Sequence, residues 1–189
     1  MKLHTLVVAG AMLPLGAVAQ DLDYTFVEAA YANSELDAGP IDVDGDGLEL
    51  RGSVLITDTV FLLGEYLSYD YDQDVDLTGY SLGAGMRWNL KPELDLVGDI
   101  GWAWREWDRR LAPDIDDDGF QLGIGLRSRV HDDIEVQAGI RHFDLDDSDT
   151  YLTLGGRYYL TDNVAAGLGL RINDDDTGWS IGLRAEFGN

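Results

Sequence analysis

The sequence predicts an all-β fold, an antiparallel up-and-down transmembrane β-barrel of ten strands. Three observations carry this reading. From Tyr24 onward, runs of about 9–11 residues alternate apolar with small or polar side chains, the length of a tilted strand that crosses a bilayer. The runs are joined alternately by short turns and by longer acidic connections. The polar face of the alternation is Gly, Arg and a few carboxylates, unlike the Thr, Lys and Ser of a wet sandwich face. An eight-strand barrel is the alternative, and it requires two of the runs to be extended loop.

The chain opens on a secretory signal. Lys2 supplies the positive start, Leu6 to Val18 is apolar apart from Gly and Pro, and Ala17-Val18-Ala19 is a small-x-small cleavage site. The reading is a signal peptide over 1–19 and a mature barrel over 20–189, beginning near Gln20. The apolar run is too short to span a bilayer as a helix, which takes about 20 residues. With no Cys in the chain, stability must come from a core or from lipid rather than from disulfides.

The runs follow in order. The first, Tyr24 to Ala32, turns Val27, Ala29 and Tyr31 outward and Glu28 inward. The second sets Leu48, Leu50, Val54 and Ile56 against Glu49, Arg51 and Ser53. The third, Val60 to Asp70, has bulky groups on both faces, and its register stays open. The fourth sets Tyr80, Leu82, Ala84, Met86, Trp88 and Leu90 against Ser81, Gly83, Gly85, Arg87 and Asn89. The fifth sets Leu94, Leu96, Ile100, Trp102 and Trp104 against Asp95, Val97, Asp99 and Arg105. The sixth sets Phe120, Leu122, Ile124, Leu126 and Val130 against Gln121, Arg127 and Arg129. The seventh sets Ile134, Val136 and Ile140 against Glu135, Gln137 and Arg141. The last three place Arg157, Arg171, Arg184 and Glu186 on the inner face. In a membrane barrel the apolar face meets lipid, the small and charged face fills the lumen, and closure satisfies every backbone group.

Aromatics sort to the strand ends. Trp102, Trp104, Trp179, Tyr66, Tyr80 and Phe120 fall near the loop ends, and Trp88, Tyr158 and Phe187 near the turn ends, as two interfacial girdles. The short connections are 57–59, 91–93, 131–133 and 161–163. The long ones are 33–47, 70–78, 106–119, 144–149 and 173–178. In bacterial barrels the short turns face the periplasm and the long loops face outside. The long connections hold 22 of the 36 acids, which predicts an anionic outer rim.

The net charge of −23 excludes nucleic-acid binding, which needs basic surface. The expected location is the bacterial outer membrane, the expected partners are the lipid bilayer and lipopolysaccharide, and the expected state is a monomer. Two Asp-x-Asp-x-Asp-Gly stretches are candidate calcium ligands: Asp42, Asp44 and Asp46, and Asp114, Asp116 and Asp118. Alternate carboxylates wrap a hard cation when the chain turns, but neither stretch has the Glu that completes an EF-hand, since Ser53 and Gly125 stand there. No other cofactor is expected. Inside the barrel, Arg51, Arg87, Arg105, Arg127, Arg129, Arg141, Arg157, Arg171 and Arg184 face Glu28, Glu49, Asp95, Asp99, Glu135 and Glu186. Such charges must pair. The expected result is an ion-pair network that plugs the lumen, with a narrow pore as the alternative. Ten-stranded outer-membrane proteases use Asp and His on the outer rim, but His142, two residues before Asp144, has lipid-facing parity, so no enzyme is expected.

The paired runs, such as Gly79-Tyr80-Ser81-Leu82-Gly83-Ala84-Gly85-Met86-Arg87, and the closing Trp179-Ser180-Ile181-Gly182-Leu183-Arg184-Ala185-Glu186-Phe187 resemble the small outer-membrane β-barrel family that includes opacity-type and OmpX-type proteins. The resemblance implies that Phe187 is the near-terminal aromatic read by the barrel assembly machinery. It also implies a non-enzymatic surface barrel acting in envelope integrity or surface interaction, with a narrow porin as the alternative.

Overall fold

Alternation of apolar and small side chains gives strands with one lipid face and one lumenal face, and a computed structural model shows ten of them closed into one antiparallel barrel. It describes residues 22–37, 42–72, 75–109 and 113–188. The signal peptide, the start near Gln20 and Asp74 lie outside the described residues. The strands are β1 (Phe26–Asp37), β2 (Asp42–Leu55), β3 (Val60–Tyr71), β4 (Val75–Lys91), β5 (Leu94–Arg109), β6 (Ile115–His131), β7 (Ile134–Asp144), β8 (Ser148–Thr161), β9 (Val164–Ile172) and β10 (Asp176–Glu186). Each strand pairs with its sequence neighbour. β1 closes on β10 from Phe26 opposite Glu186 to Leu36 opposite Asp176. Ten strands therefore stand, and the eight-strand alternative falls.

The parity read from the sequence holds. Leu50, Leu82, Ile100, Ile124, Ile140, Leu168 and Leu183 are all exposed on the outer face, where lipid covers them. The girdle aromatics point the same way, with the Tyr80 and Trp104 rings stacked 5.3 Å apart and Tyr31 beside Trp179 at 5.9 Å. The tight turns stand where the short connections were expected. Thr57 and Thr161 cap two of them, each hydroxyl accepting from the amides two and three residues on.

Two expectations are corrected and one open register is resolved. The first run does not begin its strand at Tyr24: β1 starts at Phe26, and Tyr24 is buried ahead of it. The third run has a definite register, with Leu62 and Tyr66 outward and Phe61, Leu63, Glu65, Tyr69 and Tyr71 inward. The long connections are mostly not loops. β4 and β6 reach 17 residues each, so the acidic segments continue the ladder above the bilayer as paired, water-exposed strand. Outside lipid both faces of a strand tolerate charge, and the alternation that marks a membrane strand disappears while the backbone pairing persists.

That extension sets acids opposite acids. Glu35 faces Asp44, Asp46 faces Asp70, Asp70 faces Asp76, Asp76 faces Asp108 and Glu106 faces Asp116. All of these side chains are exposed and lie on the outward face. Like charges directly opposite across a ladder destabilise it, and salt screens them. The refolded barrel should therefore unfold at higher urea concentration as NaCl is raised from low to moderate ionic strength. Asp70→Asn, which removes the centre of two such pairs, should stabilise the protein and flatten that dependence; a midpoint insensitive to salt would refute the ladder's role.

Candidate functional site in the barrel lumen

Inward side chains come from every strand, and their charges meet in tiers along the barrel axis. At the periplasmic end, Arg127 of β6 clamps Glu135 of β7 through two bonds, Nε at 2.8 Å and Nη2 at 2.9 Å. Arg157 of β8 donates to the same carboxylate at 2.9 Å. The Tyr159 hydroxyl lies 2.8 Å from Glu186 and 3.0 Å from Glu135. Glu135 is fully buried, and so in effect is Asp95 at 1% exposure. Asp95 accepts from the Tyr24 hydroxyl at 2.9 Å and from Asn89 at 3.2 Å, with Arg87 3.6 Å away.

The middle tier turns on two glutamates. Glu28 of β1 gathers three arginines: Arg184 at 2.7 Å, Arg157 at 3.0 Å and Arg51 at 3.5 Å. Glu65 of β3 holds Arg51 at 2.8 Å and Arg141 at 2.7 Å. Arg141 sits on β7, four strands from β3 in the closed order, so this bond crosses the lumen. Arg141 also lies 3.6 Å from Asp99. A Cβ at Gly123 would collide with the Asp99 carboxylate, which shows how an inward glycine makes room for a charged neighbour. The outer tier is looser. Arg171 of β9 lies 3.2 Å from Asp176 and 3.5 Å from Glu49, Ser34 donates to Asp176 at 2.7 Å, and Tyr69 donates to Glu49 at 2.6 Å. Arg105 reaches Asp149 only at 4.0 Å and rests over the Phe143 ring.

Of the lumenal residues named from the sequence, Glu49, Arg51, Arg87, Asp95, Asp99, Arg105, Arg127, Glu135, Arg141, Arg157, Arg171, Arg184 and Glu186 all stand in ion pairs. Arg129 is the exception. Among the described residues it meets no carboxylate; its guanidinium stacks 3.7 Å from the Tyr159 ring and donates to the Asp132 carbonyl at 3.1 Å. Sequence reasoning missed Glu65, Tyr24, Tyr69, Tyr159, Asp149 and Asp176. Glu65 was recoverable: once Tyr66 is assigned to the outer girdle, parity turns Glu65 inward.

The calcium candidates are not brought together. Asp44 and Asp46 lie on the extended β2 and are exposed; Asp42 opens that strand. Asp116 and Asp118 lie on β6, with Asp114 just ahead of it, and Asp118 accepts from the Trp102 indole N–H at 3.0 Å. Extended backbone spreads alternate carboxylates along one face instead of wrapping them round an ion. Among the described residues no three His, Asp or Glu side chains are grouped to hold a metal. His142 faces outward and shares a hydrogen bond of 2.9 Å with Thr150.

A buried charge that loses its partner is costly, and Glu28 is the hub of the largest cluster. Glu28→Ala leaves Arg184 with only Glu186, 3.9 Å away, and takes one of two carboxylates from Arg157 and from Arg51, and it should cost about 3–5 kcal/mol of unfolding free energy. Asp162→Asn, on an exposed turn, should change stability by less than about 0.5 kcal/mol. Urea titrations of the barrel refolded in detergent measure both, and equal effects would refute the hub.

Residues 5–187 match the family model described as outer membrane protein beta-barrel domain. No curated protein matches the sequence. Among solved structures, the NanC porin superposes with a TM-score of 0.50 at 9% identity, over 86% of this chain and 100% of that one. Ail, the attachment invasion locus protein of Yersinia pestis, gives 0.47 at 16% identity, over 87% and 99%. Neisserial surface protein A gives 0.44 at 15%, over 86% and 96%. These likenesses concern the fold alone. By the family match, which spans nearly the whole chain, this protein belongs to the outer membrane protein beta-barrel domain family.

Proposed function

We propose that this barrel is a closed, non-enzymatic outer-membrane surface protein, acting in envelope integrity or surface interaction through its acidic rim. One observation carries the reading. Ion pairs run without a break from Arg141 through Glu65, Arg51, Glu28, Arg157 and Glu135 to Arg127. They link β7, β3, β2, β1, β8 and β6 and brace the lumen from wall to wall, so widening a path for a solute would break charge-assisted bonds in a low-dielectric interior, where leaving a partner unpaired costs several kcal/mol.

The other parts follow from this placement. The exposed apolar belt is the lipid-facing surface, with lipopolysaccharide outside it. Phe187, exposed just beyond β10, is the candidate signal to the assembly machinery. A monomer is enough, because closure leaves no strand without a partner. A second reading, a narrow pore for small solutes, draws on a lumenal cavity of about 430 Å³ whose lining runs from Tyr24, Phe61 and Arg127 at the turn end past Glu65 and Arg141 to Trp107 at the loop end.

Single-channel recording separates the two. Wild-type protein, verified as folded by heat-modifiable gel migration and inserted in a planar bilayer, should leave the current at baseline. Steady, reproducible conductance steps would overturn the closed barrel in favour of the pore.

A further inference from the structure

The middle of the lumen is charged or small, but apolar clusters stand at both ends, one around Tyr69, Tyr71 and Leu77 and one at the periplasmic end of β3. Phe61 and Leu63 point inward there, and Val97 of β5 and Leu55 of β2 pack beside them. A Cβ at Gly85 would collide with the Phe61 ring, so that position is kept clear for it. An apolar lumen wall is unstable against water unless something covers it. Here the chain covers it with its own Leu22 and Tyr24, which are 4% and 3% exposed.

The four residues before β1 are held as a bound peptide is held. Tyr24 stacks on Phe61 with ring centroids 5.1 Å apart. The guanidinium groups of Arg127 and Arg87 lie 4.7 and 5.2 Å from its ring centre, and its hydroxyl donates to Asp95 at 2.9 Å. The backbone is read as well: Arg127 donates to the Asp23 carbonyl at 2.6 Å and Arg87 to the Leu22 carbonyl at 3.2 Å. The Asp23 carboxylate accepts from the Thr25 and Gly188 amides, both at 2.7 Å, which fixes the bend that sends the segment into the barrel.

We propose that the periplasmic mouth is a binding site for an extended peptide with an aromatic side chain, occupied in the folded protein by Leu22–Thr25 as a removable seal. The seal lies in series with the ion-pair chain above it and meets that chain at Arg127, while Glu65 and Arg141 belong to the chain alone. Its anchors are the Tyr24 pocket and two backbone carbonyls. The same anchors take a free copy of this segment when the chain's own Leu22–Thr25 is withdrawn.

Conductance tests this with three full-length variants checked for heat-modifiable migration: Leu22→Gly/Tyr24→Gly, Glu65→Ala/Arg141→Ala, and the four substitutions together. With two seals in series, each pair alone should stay near baseline and the combination should conduct. A silent wild type with Glu65→Ala/Arg141→Ala conducting as strongly as the combination would overturn the seal while leaving the closed-barrel reading intact; a conducting wild type would overturn that reading instead. A folded combination that stays silent also overturns the seal. A synthetic peptide of residues 20–25 added to the conducting variant should block from the periplasmic face only, and the same peptide with Ala for Tyr should not; block from both faces, or by both peptides, would refute the site. If the combination does not fold, labelling of the Cys-free chain decides. Leu22→Cys should react with a maleimide on the order of tenfold more slowly than Asp58→Cys on an exposed turn. Equal rates would overturn the seating of the segment.

Discussion

Within a bilayer every backbone N–H and C=O must find its partner in the protein, because no water is there to supply one. The pairing of β1 with β10 meets that demand for the last two edges, along the whole length from Phe26 to Leu36. The rest follows from closure. An even number of strands puts the start of β1 and the end of β10 on the turn side. The three bulges, at Asn89/Lys91, Arg129/His131 and Tyr159/Thr161, all fall next to those turns, where a local break in the ladder lies at the edge of the membrane and not inside it.

Closure also fixes what the interior can be. Ten tilted strands enclose a narrow lumen, too small for a broad channel and too irregular for a purely aliphatic core. Lipid takes most of the apolar side chains, and hydrophobic burial inside is confined to two clusters, one around Phe61 and one around Tyr69 and Leu77. Long, planar arginines among glycines fill the space, and each needs a carboxylate or an aromatic face to offset its desolvation. The ring contacts of Arg129 with Tyr159 and of Arg184 with Phe26, at 3.7 and 3.6 Å, serve where carboxylates are scarce or shared.

Much of this was legible because a membrane strand writes its geometry into the sequence twice, as an apolar lipid face and as a small, charged lumenal face. The nine inward arginines were found by parity alone. What parity could not give was the extent of the strands. Above the bilayer both faces are wet, so the alternation fades at Glu35 or Asp76 although the hydrogen-bonded ladder runs on. The same fading made the Asp-x-Asp-x-Asp stretches resemble cation loops when their backbone is extended. The third strand was ambiguous for a different reason: its inward Phe61 and Leu63 are apolar because Leu22 and Tyr24 cover them, a contact between distant parts of the chain with no periodic signature. Pair identities such as Glu65 with Arg141, on strands far apart in the sequence, were beyond reach for the same cause.

The two populations of carboxylate separate cleanly by place. Among the described residues nine acids and nine arginines belong to the lumenal arrangement, which is therefore neutral and contributes nothing to the net charge of −23. The same side chains therefore do opposite things: inside, each relieves a buried cation; on the rim, Glu35, Asp44, Asp46, Asp70, Asp76, Glu106, Asp108 and Asp116 repel one another across the ladder. This bears on the choice between a plug and an anion pore. A pore for anions needs cations that are free to meet the solute and a mouth that attracts it. Here the arginines are engaged with carboxylates or aromatic rings, and an anion approaching from outside first meets Glu35, Asp46, Asp70 and Asp108. The field that would have to draw anions in is directed against them, and the cations that would carry them are already bound.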